Sequence, residues 1–258
     1  MPQAIALEKR LRRCRNVRTL GVRSNFLDYT IEERQVILAA PKIYYPSVFY
    51  ADLLDAMGKA LFPSYHTYKC VQDKIKQTAL FDLLDIPHPR TRVYYGKRQM
   101  ARIPDDFRFP LVAKIARGSA LGKGVFLIRT PEALAAYCRQ TRVAYIQEYL
   151  PLDRDIRVVV IGGRAVHAYW RVASPGEFRS NLAAGGRIRL DPVPEAAVAL
   201  ARRTARRCGW TDVGMDIYCY EGRFGVFEAN MKYGKEGFRK AGIDYDRLME
   251  EMIANGEI

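Results

Sequence analysis

Gly214-Met215-Asp216-Ile217-Tyr218-Cys219-Tyr220-Glu221-Gly222-Arg223-Phe224-Gly225-Val226-Phe227-Glu228-Ala229-Asn230 reads as two strands, 215–220 and 224–230, folded about Glu221-Gly222-Arg223. Side chains alternate along a strand, so Glu228 and Asn230 share a face. A three-residue turn pairs Tyr220 with Phe224 and sets Asp216 directly opposite Glu228. A two-residue turn offsets that pairing by one and separates the two acids. Opposed carboxylates repel across a ladder. Two carboxylates and an amide oxygen on one face are hard donors suited to Mg²⁺ completed by water and phosphate. The competing reading is a solvated polar face, but Phe224, Val226 and Phe227 argue for a buried hairpin.

Working upstream, Lys114-Ile-Ala-Arg-Gly118-Ser119-Ala-Leu-Gly122-Lys123-Gly124-Val125 carries a lysine on a strand and then a glycine-rich loop. Glycines let backbone N–H groups approach phosphate oxygens closely. The loop fits neither a P-loop nor a dinucleotide fingerprint, because Gly124 follows Lys123 and a strand, 125–128, comes next. It reads as a hairpin lid over phosphates or as an ordinary flexible β-loop. A third set lies between the other two: Glu148-Tyr149, Asp155, Arg157, Arg171, Arg179 and Asn181. Arg157 and Arg171 flank the Gly162-Gly163 hairpin and can converge on an anion, and Asp155 is a candidate acceptor for ribose hydroxyls.

The remaining pattern is α+β with several antiparallel hairpins. Apolar spacing predicts helices over 51–61, 73–84 and 195–208, and another from Pro131 capped by Thr130. Strand and loop are expected over 34–50, and strands over 93–95, 111–115, 144–150, 156–161 and 165–171. The first 23 residues hold seven basic side chains against Glu8 and predict a solvated, partly helical face or a contact surface for an anionic partner.

Of 258 residues, 49% are hydrophobic and 11% aromatic, enough for a packed core. Lys and Arg total 42 against 28 Asp and Glu, a net charge of +14 that favours anionic partners without choosing among them. No apolar run approaches the ~20 residues of a membrane span. The N-terminus lacks signal-peptide order. Cys14, Cys70, Cys138, Cys208 and Cys219, like His66, His88 and His167, are too scattered for a disulfide framework or a zinc site, so a reduced cytoplasmic protein is expected.

In this order, Lys114 with its loop, Gln147-Glu148-Tyr149, Asp155-Ile156-Arg157, Phe178-Arg179-Ser180-Asn181 with Gly185-Gly186, and Gly214-Met215-Asp216 to Glu228-Ala229-Asn230 resemble the ATP-grasp ligases, and among them the RimK-type glutamate ligases and relatives near glutathione synthetase. The likeness covers roughly residues 70 to 250. It implies two α+β subdomains clasping ATP: residues 71–146 with the lid and 147–258 with the metal site, after a short α/β lobe, 1–70. It implies an ATP-dependent carboxylate–amine ligase working through an acyl phosphate, with ATP and Mg²⁺ (or Mn²⁺) as cofactors.

By position, the resemblance puts Lys74, Lys114, Gly118, Ser119, Gly122 and Gly124 at ATP, Glu148 and Tyr149 beside adenine, and Asp155 near ribose with Arg157. Arg179 and Asn181 fall at the phosphates. Arg171, Arg179 and Asn181 are the catalytic candidates, and Asp216, Glu228 and Asn230 the metal ligands. The loop is one residue longer than the family's, the N-terminal lobe is short, and Met231-Lys232-Tyr233-Gly234 stands where Ser-Pro-Gly is common. The implied partners are MgATP with a small carboxylic acid and an amine, or an acidic peptide or protein acceptor. Arg171, Arg179, Lys232, Lys235 and Arg239 suggest an anionic one. No membrane partner is expected, and homo-oligomerisation stays open. A carboxylate kinase, a nucleotide-binding protein without ligation and a basic nucleic-acid-binding protein are the rival readings; the last lacks a recognition-helix or aromatic-platform signature.

Overall fold

The computed structural model describes residues 3–115 and 124–258, so the central glycines of the loop lie outside the described residues. The chain begins with β1 (Ala4–Ala6), β2 (Val17–Thr19), α1 (Ile31–Ala39), β3 (Lys42–Tyr44), α2 (Ser47–Ala56), β4 (Ala60–Phe62), α3 (Tyr65–Val71) and α4 (Lys74–Leu83). These strands form a parallel sheet ordered β2-β1-β3-β4. Then come β5 (Thr91–Tyr95), α5 (Gly96–Met100), α6 (Ile103–Asp106), β6 (Leu111–Ile115), β7 (Val125–Ile128), α7 (Pro131–Arg139) and β8 (Val143–Glu148), with an antiparallel sheet ordered β5-β8-β6-β7. The last part holds β9 (Arg154–Ile161), β10 (Arg164–Val172), β11 (Arg187–Arg189), α8 (Glu195–Cys208), β12 (Asp212–Tyr220), β13 (Arg223–Asn230), α9 (Glu236–Lys240) and α10 (Tyr245–Ala254). Its sheet is ordered β11-β10-β9-β12-β13. No described helix is long and apolar enough to cross a membrane.

β9 organises the large sheet, being buried from Asp155 to Ile161. Ile156, Val158 and Val160 join one core with Ala201 and Ala205 of α8 and Phe81 of α4. Val159 and Ile161 face the other way, into a core shared with Leu11, Tyr45 and Phe62 of the N-terminal lobe and Met249 of α10. The period-two pattern therefore puts Asp155 and Arg157 on the second face, past the edge of that core. The central sheet packs Leu111, Ala113, Ala144 and Ile146 against Leu134 and Tyr137 of α7. Its alternate residues, including Lys114, face away from α7. β8 runs through the expected boundary at 146/147, and α4 packs with the large sheet.

Three expectations for the N-terminal third are corrected. The helix expected over 51–61 ends at Ala56, and Leu61 lies in β4, because Gly58 turns the chain with a positive φ. The 34–50 segment contains most of α1, capped by a Thr30–Glu33 capping box, and the start of α2. The basic N-terminus is not simply a solvated helical face. It supplies β1 and β2, and the Arg10 side chain is only 19% exposed. Arg10 donates to Tyr245 Oη (3.0 Å) and to the Met231 carbonyl (3.1 Å), and stacks 4.5 Å from the Tyr233 ring centroid. Asp212, 0% exposed, accepts the hydroxyls of Tyr45 (2.7 Å) and Tyr233 (2.6 Å), with Arg10 Nε 3.8 Å away.

Removing one partner of a buried ion pair leaves the other uncompensated. Arg10→Met should lower the unfolding free energy by about 3 kcal/mol, read by urea denaturation. A change within roughly 0.5 kcal/mol, as for an ordinary surface site, would contradict this placement.

Candidate active site

The hairpin that opened the sequence reading has a different turn from the expected one. Tyr220 pairs with Arg223 across two residues, Glu221 and Gly222, both at positive φ as a tight hairpin turn requires. Alone this would separate the acids. A β-bulge restores them: Ile217 pairs with Val226 and Asp216 with Glu228, so Phe227 is the extra residue. Val226 and Ala229 consequently both enter the α8 core, while Phe227, Glu228 and Asn230 line a cavity.

That cavity, about 320 Å³, lies between the central and large sheets. Register sets a transverse row of Tyr169, Arg157, Asp216 and Glu228 across β10, β9, β12 and β13, all lining it. Arg157 donates to Asp216 Oδ1 (2.5 Å) and to the Tyr233 carbonyl (3.2 Å). Arg171 grips Asp155 with two hydrogen bonds, 2.7 and 2.6 Å, and reaches Asp216 Oδ2 at 2.8 Å. Gly214 makes room for this, since a Cβ there would lie 2.4 Å from Tyr233 Cβ. Burial pushes the Asp216 carboxyl up, but the two guanidinia outweigh it and hold it below the ordinary range.

Arg157 and Arg171 do converge on an anion, as expected, but the anion is Asp216. Both guanidinia offset the repulsion between the opposed acids. Asp155, expected as an open acceptor for ribose, instead spends its oxygens on Arg171 and on the Ser180 hydroxyl (2.6 Å). Arg171 is likewise paired within the chain while lining the cavity. Glu228 is half-buried and makes no ion pair among the described residues; Asn230 Nδ2 donates to its Oε1 at 2.9 Å. The spare Asp216 lone pairs, the Glu228 carboxylate and the Asn230 amide oxygen are a donor set that fits a hard divalent cation.

Lys114, 7% exposed, projects from β6 into the cavity with no carboxylate in ion-pair reach among the described residues. Burial lowers its pKa, opposed by Glu228 and Asp216, and Lys74 lowers it further. Lys74 itself does not line the cavity. Gly124, at positive φ, precedes β7 beside Ile115 and does not line it either. Gly118, Ser119 and Gly122 lie outside the described residues. Glu148 and Tyr149 stand at the rim where the chain leaves the central sheet, and Glu148 accepts from the Arg90 amide (2.6 Å). Arg179, gripped by Glu177, and Asn181 line the opposite wall. That grip lowers the Glu177 carboxyl to about 2.

The sequence reading missed the apolar lining of Val112, Val125, Tyr169 and Leu150. The strand alternation could have found Val112 and Tyr169, each two residues from a named one. Five lining cations, Lys114, Arg157, Arg171, Arg179 and Lys232, oppose four carboxylates, Glu148, Asp155, Asp216 and Glu228. The surplus is one charge, well short of what a triphosphate needs, so binding one there would call for added positive charge such as a divalent cation.

The cavity is thus clasped between two β-sheets and floored by an Asp/Glu/Asn hairpin, an arrangement shared with ATP-grasp folds. A family model described as "RimK-like ATP-grasp domain" matches residues 71–253, and the chain belongs to that family. ATP-grasp ligases use ATP and a divalent metal. The chain is 32% identical over 178 residues to beta-citrylglutamate synthase B of Danio rerio, covering 65% of this chain and 44% of that protein. It is 37% identical over 138 residues to a probable alpha-L-glutamate ligase of Alcanivorax borkumensis, covering 51% and 45%. It thus spans less than half the length of these curated relatives. The ATP-grasp ligase PsnB, solved with a minimal precursor, Mg and ADP, matches with a TM-score of 0.71 at 16% identity, covering 99% of this chain and 98% of that one.

The depressed Asp216 acid has a stated pH consequence. Its folded pKa lies below the ordinary 3.8, so its contribution is present above that value and is lost as pH falls through the lowered one. Asp216→Asn should cost about 3–5 kcal/mol near neutrality by leaving Arg157 underpaired. Urea titrations should show the gap to wild type closing only in strong acid; a gap that already closes near pH 6 would contradict the pairing.

Proposed function

We propose that this chain is the catalytic unit of an ATP-dependent carboxylate–amine ligase forming an amide through an acyl phosphate. One observation carries the reading. Lys114 from one sheet and the Asp216–Glu228–Asn230 face of another meet in one cavity, whose charge balance calls for a nucleotide and a divalent cation together. In this reading Glu148 and Tyr149 border adenine, with the apolar lining holding its faces. Lys114, Arg179 and Asn181 serve the phosphates. Asp216, Glu228 and Asn230 would hold Mg²⁺, or Mn²⁺, which when bound neutralises charge on the β- and γ-phosphoryl oxygens.

The chemistry then needs positioning rather than a protein nucleophile. A carboxylate oxygen of the acid attacks Pγ as the Pγ–O bond to ADP breaks. An amine attacks the resulting acyl carbon, phosphate leaves, and the amine proton passes to solvent. Lys114, already desolvated, gains from a phosphate what burial took away, and the closed walls limit hydrolysis of the acyl phosphate. Glutamate-joining relatives make an acidic amino acid the first amine to try.

ADP release from MgATP should require both an acid and an amine, with the amide identified by mass. Release with acid alone would mark a carboxylate kinase. Glu228→Ala should reduce turnover beyond the roughly 10–100-fold typical of outer-shell changes and leave the melting temperature near wild type; full turnover would remove the metal assignment. Lys114→Met should weaken nucleotide binding by about tenfold or more, yet melt no lower than wild type without nucleotide, because it deletes a buried, unpaired charge. A lower melting point would show that Lys114 is structural.

A further inference from the structure

Five basic residues could have met an anionic substrate, and carboxylates of the chain already engage four of them. Arg171 is held by Asp155 and Asp216, and Arg179 by Glu177. Lys235 pairs with Asp246 at 2.6 Å and sits over the Tyr245 ring, and Arg239 pairs with Glu236. Lys232 lines the cavity, is exposed, and makes no ion pair among the described residues. The other unpaired lining cation, Lys114, stands on the other sheet and feels Glu228 and Asp216. Lys232 instead lies within electrostatic reach of Glu8, in the N-terminal lobe. The two cations serve different parts of the cavity.

The backbone around Lys232 is pinned on both sides. Arg10 holds the Met231 carbonyl and stacks on Tyr233, whose hydroxyl is tied to buried Asp212 and whose carbonyl accepts from Arg157. Arg157 in turn holds Asp216. On an anchored turn two residues beyond Asn230, the backbone carrying this cation is already ordered, so meeting a ligand costs side-chain freedom alone.

From this placement, and resting on the ligase reading above, we infer that Lys232 is a specificity-determining residue: it receives a carboxylate of the substrate other than the one being activated. That carboxylate can belong to the acid or to the amine, and paired probes separate the two. Glutarate and valerate differ by one terminal carboxylate, as do glutamate and norvaline. With the protein saturated by Mg²⁺ and a non-hydrolysable ATP analogue, calorimetry should show tighter binding of the extra-carboxylate member in at least one pair. Lys232→Met should weaken that member by about tenfold or more, leave the neutral partner unchanged, and leave analogue affinity unchanged. Lys232→Arg should keep the preference. Equal binding by wild type and Lys232→Met, no preference in wild type, or a loss of analogue affinity instead would overturn the assignment. The ligase reading fails separately, by absence of amide from the same mixtures with MgATP, while the binding comparison still stands.

Discussion

The site rests on one carboxylate held between two arginines. Asp216 lies opposite Arg157 in register, Asp155 lies opposite Arg171, and Arg171 crosses to Asp216. Cross-strand charge pairs of opposite sign favour their own register, whereas a one-residue slip would turn every member to the wrong face. Buried charges are costly unless paired and hydrogen-bonded. Here each acid is met by guanidinium donors, and protonating Asp216 would weaken both of its ion pairs. The quartet therefore ties the hairpin carrying Glu228 and Asn230 to the centre of the large sheet. The site's floor is preorganised by the protein before any ligand arrives.

Preorganisation leaves particular charges unspent. Arg157 and Arg171 are consumed inside the floor, whereas Lys114 and Lys232 line the cavity with no ion pair among the described residues. Glu228 is a half-buried acid with no partner cation among the described residues. Burial lowers the Lys114 pKa, and the nearby Glu228 and Asp216 carboxylates oppose that shift.

The N-terminal lobe meets the turn beyond Asn230 through one of its polar contact zones. Arg10, Asp212, Tyr45, Tyr233 and Tyr245 come from five separate segments, and they close over the turn that follows Asn230. Burial raises the hydroxyl pKa of Tyr45 and Tyr233, and neighbouring Asp212 adds to the effect, so both stay protonated donors. An aromatic box that holds one guanidinium by faces and hydroxyls together fixes a short irregular segment better than apolar packing alone, because its contacts are directional.

Much of the architecture could be read along the chain. Glu195 to Cys208 declares its helix by apolar spacing, Thr130-Pro131 and Asp73 declare helix starts, and Gly162-Gly163 declares a hairpin, because each depends on neighbours within a few residues. The likeness of the glycine loop and the Asp/Glu/Asn hairpin to ATP-grasp ligases identified the family. The pairing of Asp216 with Glu228 was also legible, but for a turn that does not exist: a two-residue turn and a bulge at Phe227 compensate one another. What only the tertiary structure decided is which charges are spent and which are free. Asp155, Arg157 and Arg171 look like ligand groups in sequence, yet Asp155 pairs with Arg171 and both arginines hold Asp216, while Arg10 looks like surface and is a clamp. The reason is physical: backbone periodicity is local, whereas the pairing of a long charged side chain depends on segments brought together from elsewhere in the chain, such as Arg157 and Asp216, separated by 59.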